Sequence, residues 1–339
     1  MKNTQIEFTA PWKVEVKQEE LQAQVPELTG NQVLVKKHYT LISPGTELAC
    51  LSGGEGWFHM PSVPGYAAAS EIVALGPDAA EGFQIGDMVF HYGKHSRYEL
   101  TTTSGVFLKV PDSLPLAWAP FTRMATVAMT STRVSSIELG DYVAVTGLGL
   151  IGNMAAQLAG LQGASVIGID LAAKRRDLAK NCGIQHAIEA GTDTHKQVME
   201  LTGGKGVSTL IEATGVPQVI LDNVALVGQY GEAILLGSPR GELQSNVTDL
   251  LNSIHLNGRG CVTFKGAHEW RYPLTPEAFV KHSLVRNSEV VFRLMQYGKL
   301  QVEPLISHIM SPADAPAAYE GLRSKKDEYL GVLFNWEEV

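Results

Sequence analysis

The stretch YVAVTGLGLIGNMAAQLAGLQ, residues 142–162, constrains this chain more than any other. YVAVTG (142–147) is an apolar run that reads as a buried strand, and NMAAQLAGLQ (153–162) reads as a helix. Between them lies GLGLIG (147–152), a GxGxxG loop in the strand–loop–helix setting that gives the motif its meaning. Each glycine answers a physical need. Gly147 permits the tight turn, and Gly149 lets the backbone approach a pyrophosphate with no Cβ in the way. Gly152 lets the helix pack close to the sheet. With Leu150 and Ile151 between them, these residues present free N–H groups and the positive end of the helix dipole to phosphate.

Asp170 stands eighteen residues after Gly152, at the end of the next apolar run, ASVIGID (164–170). A carboxylate there accepts hydrogen bonds from the adenine ribose hydroxyls and repels a 2′-phosphate. The expected cofactor is therefore NAD(H) rather than NADP(H). Lys174 and Arg175 follow in AAKRRDLAKNCG (172–183), a helix ended by Gly183; Arg175 is counted with the cofactor residues.

Strands and helices alternate beyond this point. STLIEATG (208–215) and GEAILLGS (231–238) read as further strands with a helix between them. Buried apolar strands joined by helices make a doubly wound parallel sheet. The first hundred or so residues differ: VLVKKHYTLIS (33–43), SEIVALG (70–76) and DMVFHY (87–92) read as strands. They are separated by the turn-like SPGTE, SGGEG, VPG and GPD, a barrel-like β-rich pattern. FTRMATVAMTSTRVSS (121–136) has helical apolar spacing, and the tail mixes helices with short strands.

Composition narrows the function classes. A net charge of −8 with no basic block leaves no electrostatic footprint for nucleic acid or an anionic membrane. No uncharged apolar run is long enough to span a bilayer, and the N-terminus has no secretory h-region. Cys50, Cys182 and Cys261 form no CxxC pair and read as thiols in a reducing compartment, so a cytoplasmic location is expected.

Taken together, these segments resemble the medium-chain dehydrogenase/reductase superfamily over nearly the whole chain. VPGYAAASEIVALG (63–76) looks like the family's GHE segment and its following strand, and IGDMVF (85–90) looks like its GDRV turn. IEATG (211–215) and LLGSPRG (235–241) look like the fourth and fifth nucleotide-domain strands. The resemblance implies an α/β protein with a GroES-like β-rich catalytic domain, residues 1–118 and 275–339, and a Rossmann NAD-binding domain, residues 119–274. It adds Gly237, Ser238, Pro239, Ala267 and His268 to the cofactor site and implies a homodimer or homotetramer.

The departures from the family pattern matter as much. Zinc members hold their catalytic metal on a Cys, a His and a second Cys or carboxylate. Here those positions carry Ser43, Tyr66 and, at or near the third, Arg123, and the four-Cys structural lobe is missing. A chain without zinc is expected. SPGTE, GSPR and the closing LGVLFNW are similar to a subgroup that acts on sugars, glycosides, polyols or ring-borne hydroxyethyl groups, the last as in bacteriochlorophyllide dehydrogenase-like members.

The implied reaction is hydride transfer between a secondary alcohol and NAD on such a small-molecule substrate. One fixed cation and one proton carrier would stand in for a Lewis-acidic metal. Arg123 is the expected cation. Tyr66 carries a proton or fills the vacated space, and Thr46 sits at the family's hydroxyl relay. Glu47 takes part in catalysis or braces the loop, and His95 is placed where zinc-free relatives put an aromatic facing the cleft. His38, His59 and Trp270 are weaker pocket candidates. The alternatives are a zinc-free quinone or enoyl reductase, a branch that mostly prefers NADPH, and a non-catalytic dinucleotide-binding protein.

Overall fold

The computed structural model describes residues 2–21 and 28–338 and divides into two compact units. Unit 1 comprises residues 1–123, 272–298 and 305–339; unit 2 comprises 124–271 and 299–304. Together they form the GroES-like plus Rossmann α/β fold. No helix among the described residues is long and apolar enough to cross a membrane.

Unit 2 is built on six parallel strands. Across the sheet they run His186–Glu189, Ser165–Asp170, Tyr142–Thr146, Val207–Glu212, Val227–Leu235 and Thr263–Gly266. Numbered by their order along the chain, this is the doubly wound order 3-2-1-4-5-6. Helices Leu150–Leu161, Ala173–Asn181, Thr194–Leu201 and Pro217–Asn223 serve the crossovers. The central strands Tyr142–Thr146 and Ser165–Asp170 are mostly apolar because both faces of the sheet are covered there: Ala144, Ile167, Leu210 and Ala233 are fully buried in one cluster. Strand order reverses between Tyr142–Thr146 and Val207–Glu212, the switch point beside which such folds bind ligands. GLGLIG lies there.

Unit 1 carries a seven-stranded sheet. Its central strand, Gln32–Leu41, pairs antiparallel with Ala68–Leu75 on one side and with the C-terminal strand Gly331–Asn335 on the other. The second pairing brings Phe334 opposite Thr40 and delivers Trp336 to the same place. Helix Ala315–Ser324 buries Ala315, Ala318, Tyr319 and Leu322, an i, i+3, i+4, i+7 stripe, against Ile6, Phe8, Ile42, Phe334 and Trp336. Truncating a ring buried as completely as Trp336 costs about 3–5 kcal/mol.

Several local expectations are corrected. The strand expected over 33–43 stops at Leu41, and the segment read as a turn is helix Pro44–Leu51. Its start is encoded locally. Ser43 is extended, Pro44 opens the helix without needing an N–H partner, and Glu47 reaches back to accept from the Ser43 N–H at 2.8 Å. The nucleotide helix begins at Leu150 rather than Asn153, because Gly149 already acts as its cap. The strand expected over 231–238 runs Val227–Leu235. The hairpin Lys2–Ala10/Lys13–Glu20, strand His186–Glu189 and helix Thr194–Leu201 went unread.

Candidate active site

In unit 1, the side chains of Ser43, Tyr66, Tyr92 and Arg123 converge. The Tyr66 hydroxyl donates to Ser43 Oγ at 2.5 Å. The guanidinium carbon of Arg123 lies 4.8 Å from the centre of the Tyr66 ring and 4.6 Å from that of Tyr92. Two aromatic faces therefore hold one buried cation, and each such contact contributes about 0.5–2 kcal/mol as desolvation increases. Burial raises the Tyr66 pKa. The positive charge of Arg123 pulls it back, the charge of Glu47 adds to the rise, and hydrogen bonding to Ser43 and Thr46 lowers it again. The phenol is thus protonated at neutral pH, beside a cation that favours its ionised form.

A fully connected polar network lies beneath this cluster. Glu47 accepts from the Ser43 N–H through one oxygen; the other is 3.0 Å from His95 Nε2 and accepts from the Tyr319 hydroxyl at 2.5 Å. His95 Nδ1 is 2.7 Å from Thr40 Oγ1, which also accepts from the Trp336 indole N–H at 2.9 Å. Trp336 can only donate, so Thr40 Oγ1 accepts from it, and His95 bridges Thr40 to the Glu47 carboxylate with one ring nitrogen on each. Gly65 is required by this packing, since a Cβ there would lie 2.8 Å from the His95 ring at a φ of +100°.

The structure corrects the placement expected for His95. It does not face a cleft: it is 0% exposed, with both ring nitrogens engaged and Phe334 edge-on at 5.3 Å. Glu47 is likewise buried and braces the loop. Tyr66 and Thr46 are half-buried, and Arg123 is buried. His38 sits 2.9 Å from Glu337 in an ion-pair position, and His59 and Trp270 are exposed. Sequence reasoning missed Tyr92, Thr40, Tyr319 and Trp336. Only Tyr92 left a local signal, as an aromatic two residues along a strand-like run from Phe90.

In unit 2 the loop has the expected form. A Cβ on Gly152 would lie 1.7 Å from the Gly147 carbonyl oxygen, so only glycine lets the helix start here. A Cβ on Gly149 would meet only the tip of Arg175 at 3.9 Å, which leaves its approach side open. No side chain caps the Leu150–Leu161 helix, and its first turn has no acid. Buried Asp170 accepts from Leu148 N at 2.7 Å and Ala172 N at 2.8 Å, leaving each carboxylate oxygen a further lone pair. Arg175 lies 3.7 Å from the same carboxylate. Opposite the loop, the backbone at Gly237 packs on Gly215 and leaves Ser238 and Pro239 exposed. Ala267 is buried at the end of the edge strand, donating to the Leu235 carbonyl, and His268 is exposed beside it.

Residues 151–277 match the family described as zinc-binding dehydrogenase. The D-guloside 3-dehydrogenase of Shigella flexneri is 30% identical over 281 residues, covering 80% of this chain and 77% of that protein. The chain belongs to the medium-chain dehydrogenase/reductase superfamily. An L-threonine 3-dehydrogenase from Pyrococcus horikoshii is 27% identical over 342 residues, covering 90% and 92% of the two chains. The crystal structure of galactitol-1-phosphate dehydrogenase from Escherichia coli shares the fold with a TM-score of 0.80 at 20% identity, covering 99% of this chain and 100% of that one. This superfamily member is an alcohol-dehydrogenase-like oxidoreductase.

The superfamily's catalytic zinc does not fit the residues present. Ser43 and Tyr66 offer neutral hydroxyls already bonded to each other, and Arg123 brings a fixed positive charge against the same ring. Among the described residues, no group of three or more His, Cys, Asp or Glu side chains could hold a metal ion. The zinc-binding family match covers 151–277 and so includes none of these three positions. A nicotinamide dinucleotide, by contrast, fits unit 2: the uncapped helix start, the open side of Gly149 and the spare lone pairs of Asp170 are what its phosphates and ribose need.

Proposed function

We propose that this chain is an NAD(H)-dependent, zinc-independent dehydrogenase. It interconverts a secondary alcohol and a ketone on a hydroxylated substrate such as a sugar, glycoside or polyol. The observation that carries the reading is the Arg123 guanidinium stacked on Tyr66, whose hydroxyl is bonded to Ser43. The name of the D-guloside relative points to a glycoside hydroxyl, and Asp170 points to NAD over NADP.

When bound, the nicotinamide supplies the hydride acceptor or donor, and Gly147, Gly149, Leu150, Ile151, Gly152 and Asp170 would hold its dinucleotide. Gly237, Ser238, Pro239, Ala267, His268 and Arg175 complete that set. The rest of the chemistry falls to unit 1. During alcohol oxidation a proton must leave the substrate oxygen; during reduction one must return. In reduction the Tyr66 hydroxyl, kept protonated by burial, gives its proton to the substrate oxygen and is left as a phenolate stabilised by Arg123; oxidation is the reverse step, in which that phenolate takes the proton from the alcohol. Ser43 and Thr46 keep the hydroxyl aimed, and Glu47 and His95 hold Ser43 in place from below.

The test is turnover of a panel of polyols and alkyl glycosides with NAD and, separately, NADP, using wild type and Tyr66→Phe. The reading expects NAD to be preferred and Tyr66→Phe to lower kcat by about 10²-fold or more. Equal use of both cofactors contradicts the Asp170 argument. An unchanged kcat in Tyr66→Phe contradicts the proton assignment.

A further inference from the structure

Three donors meet on Glu47, and the one most distant in sequence is Tyr319, 272 residues away. Resting on the function proposed above, we propose that Tyr319 is a positioning residue for the proton step. By donating to Glu47 it fixes Ser43 as the hydrogen-bond acceptor that aims the Tyr66 hydroxyl.

The chain of contacts is unbroken and lies within unit 1. Tyr319 and His95 share one Glu47 oxygen, which leaves the other oriented at the Ser43 N–H. Ser43 is the extended residue just before helix Pro44–Leu51, so a rotation of Glu47 moves the start of that helix and with it Ser43 Oγ. Tyr319 cannot drift, because its ring is packed edge-on against Phe8 at 5.0 Å and tilted against Phe334 at 6.3 Å. The far end of the network is equally fixed, since Thr40 Oγ1 engages both His95 Nδ1 and the Trp336 indole N–H. A carboxylate with three donors loses orientation when one is removed, and hydrogen bonds to a charged group are the stronger kind. The C-terminal part of unit 1 thereby governs a hydroxyl near its beginning, although neither Tyr319 nor Trp336 touches Tyr66 through any of these bonds.

The test is Tyr319→Phe, alone and combined with Tyr66→Phe, using the most active polyol or glycoside of the panel. Removing the hydroxyl keeps the ring and its packing, so melting temperature serves as the control for folding. Tyr319→Phe is expected to lower kcat about tenfold, leave KM for NAD unchanged and move the Tyr66-dependent limb of the kcat–pH profile. Added to Tyr66→Phe it should cost nothing further, because both variants disable the same proton carrier. At the other end of the network, Thr40→Val should behave as Tyr319→Phe does, and Thr40→Ser should retain wild-type kcat. A Tyr319→Phe enzyme with unchanged kcat, or a full tenfold loss repeated in the Tyr66→Phe background, overturns the positioning role alone. An unchanged kcat in Tyr66→Phe overturns the proton role of Tyr66 as well.

Discussion

The loop at Gly147–Gly152 and the cluster around Tyr66 are made from different parts of the chain. The loop is built from backbone: what matters is where a Cβ is absent and where a helix starts, and all of it lies within a few residues. The Tyr66 cluster is built from side chains gathered from residues 40–47, 66, 92–95, 123, 319 and 336. A backbone site is fixed by local sequence and tolerates little change. A side-chain site can be rebuilt by substitution while the scaffold stays.

That contrast can be tested at both ends. The largest effect is expected from Gly152→Ala, whose new methyl would collide with the Gly147 carbonyl. NADH binding, followed by fluorescence titration, should be lost, while Leu150→Ala, a change of side chain only, should bind nearly as wild type does. Equal loss in both would mean the loop depends on side chains after all. Next comes Arg123→Met in the side-chain site. Its kcat should fall by about 10²–10³-fold with NADH affinity unchanged, because the cation acts on developing charge. A fall in NADH affinity instead would make Arg123 part of the cofactor site.

The same contrast decides what could be read from sequence. The parallel sheet, the GLGLIG loop and Asp170 were legible because their chemistry is written in spacing: strand, glycines, helix, acid. His95 was misplaced because nothing local says that Gly65, Thr40 and Phe334 close over its ring. Tyr319 and Trp336 were invisible for a related reason. Their roles exist only once strand Gly331–Asn335 has paired with Gln32–Leu41, about as far apart in sequence as this chain allows. Helix Pro44–Leu51 was hidden by Pro44 and Gly45, which are turn residues until Glu47 ties back to Ser43.

A smaller effect sharpens the comparison from the stability side. Burial and the nearby Lys37 push His91 down to about 3, with Glu99 opposing, so His91 stays neutral in the fold while it would charge at about 6.5 in the unfolded chain. The folded-state pKa is depressed, so its contribution is complete above pH 6.5 and is lost as pH falls toward 3. His91→Gln should flatten that part of the stability–pH curve, measured by urea unfolding, and leave the proton-dependent limb of kcat unmoved. A shift of the kcat limb would join His91 and its Ser70 partner to the Tyr66 network instead of separating them.

The most direct test of the central claim is turnover after exhaustive chelation, read beside the metal content of the same sample. Fixed charge and hydroxyls at Arg123, Tyr66 and Ser43 predict full activity with no stoichiometric zinc and no gain when zinc is added back. Activity that falls with chelation and returns in proportion to zinc bound would contradict it.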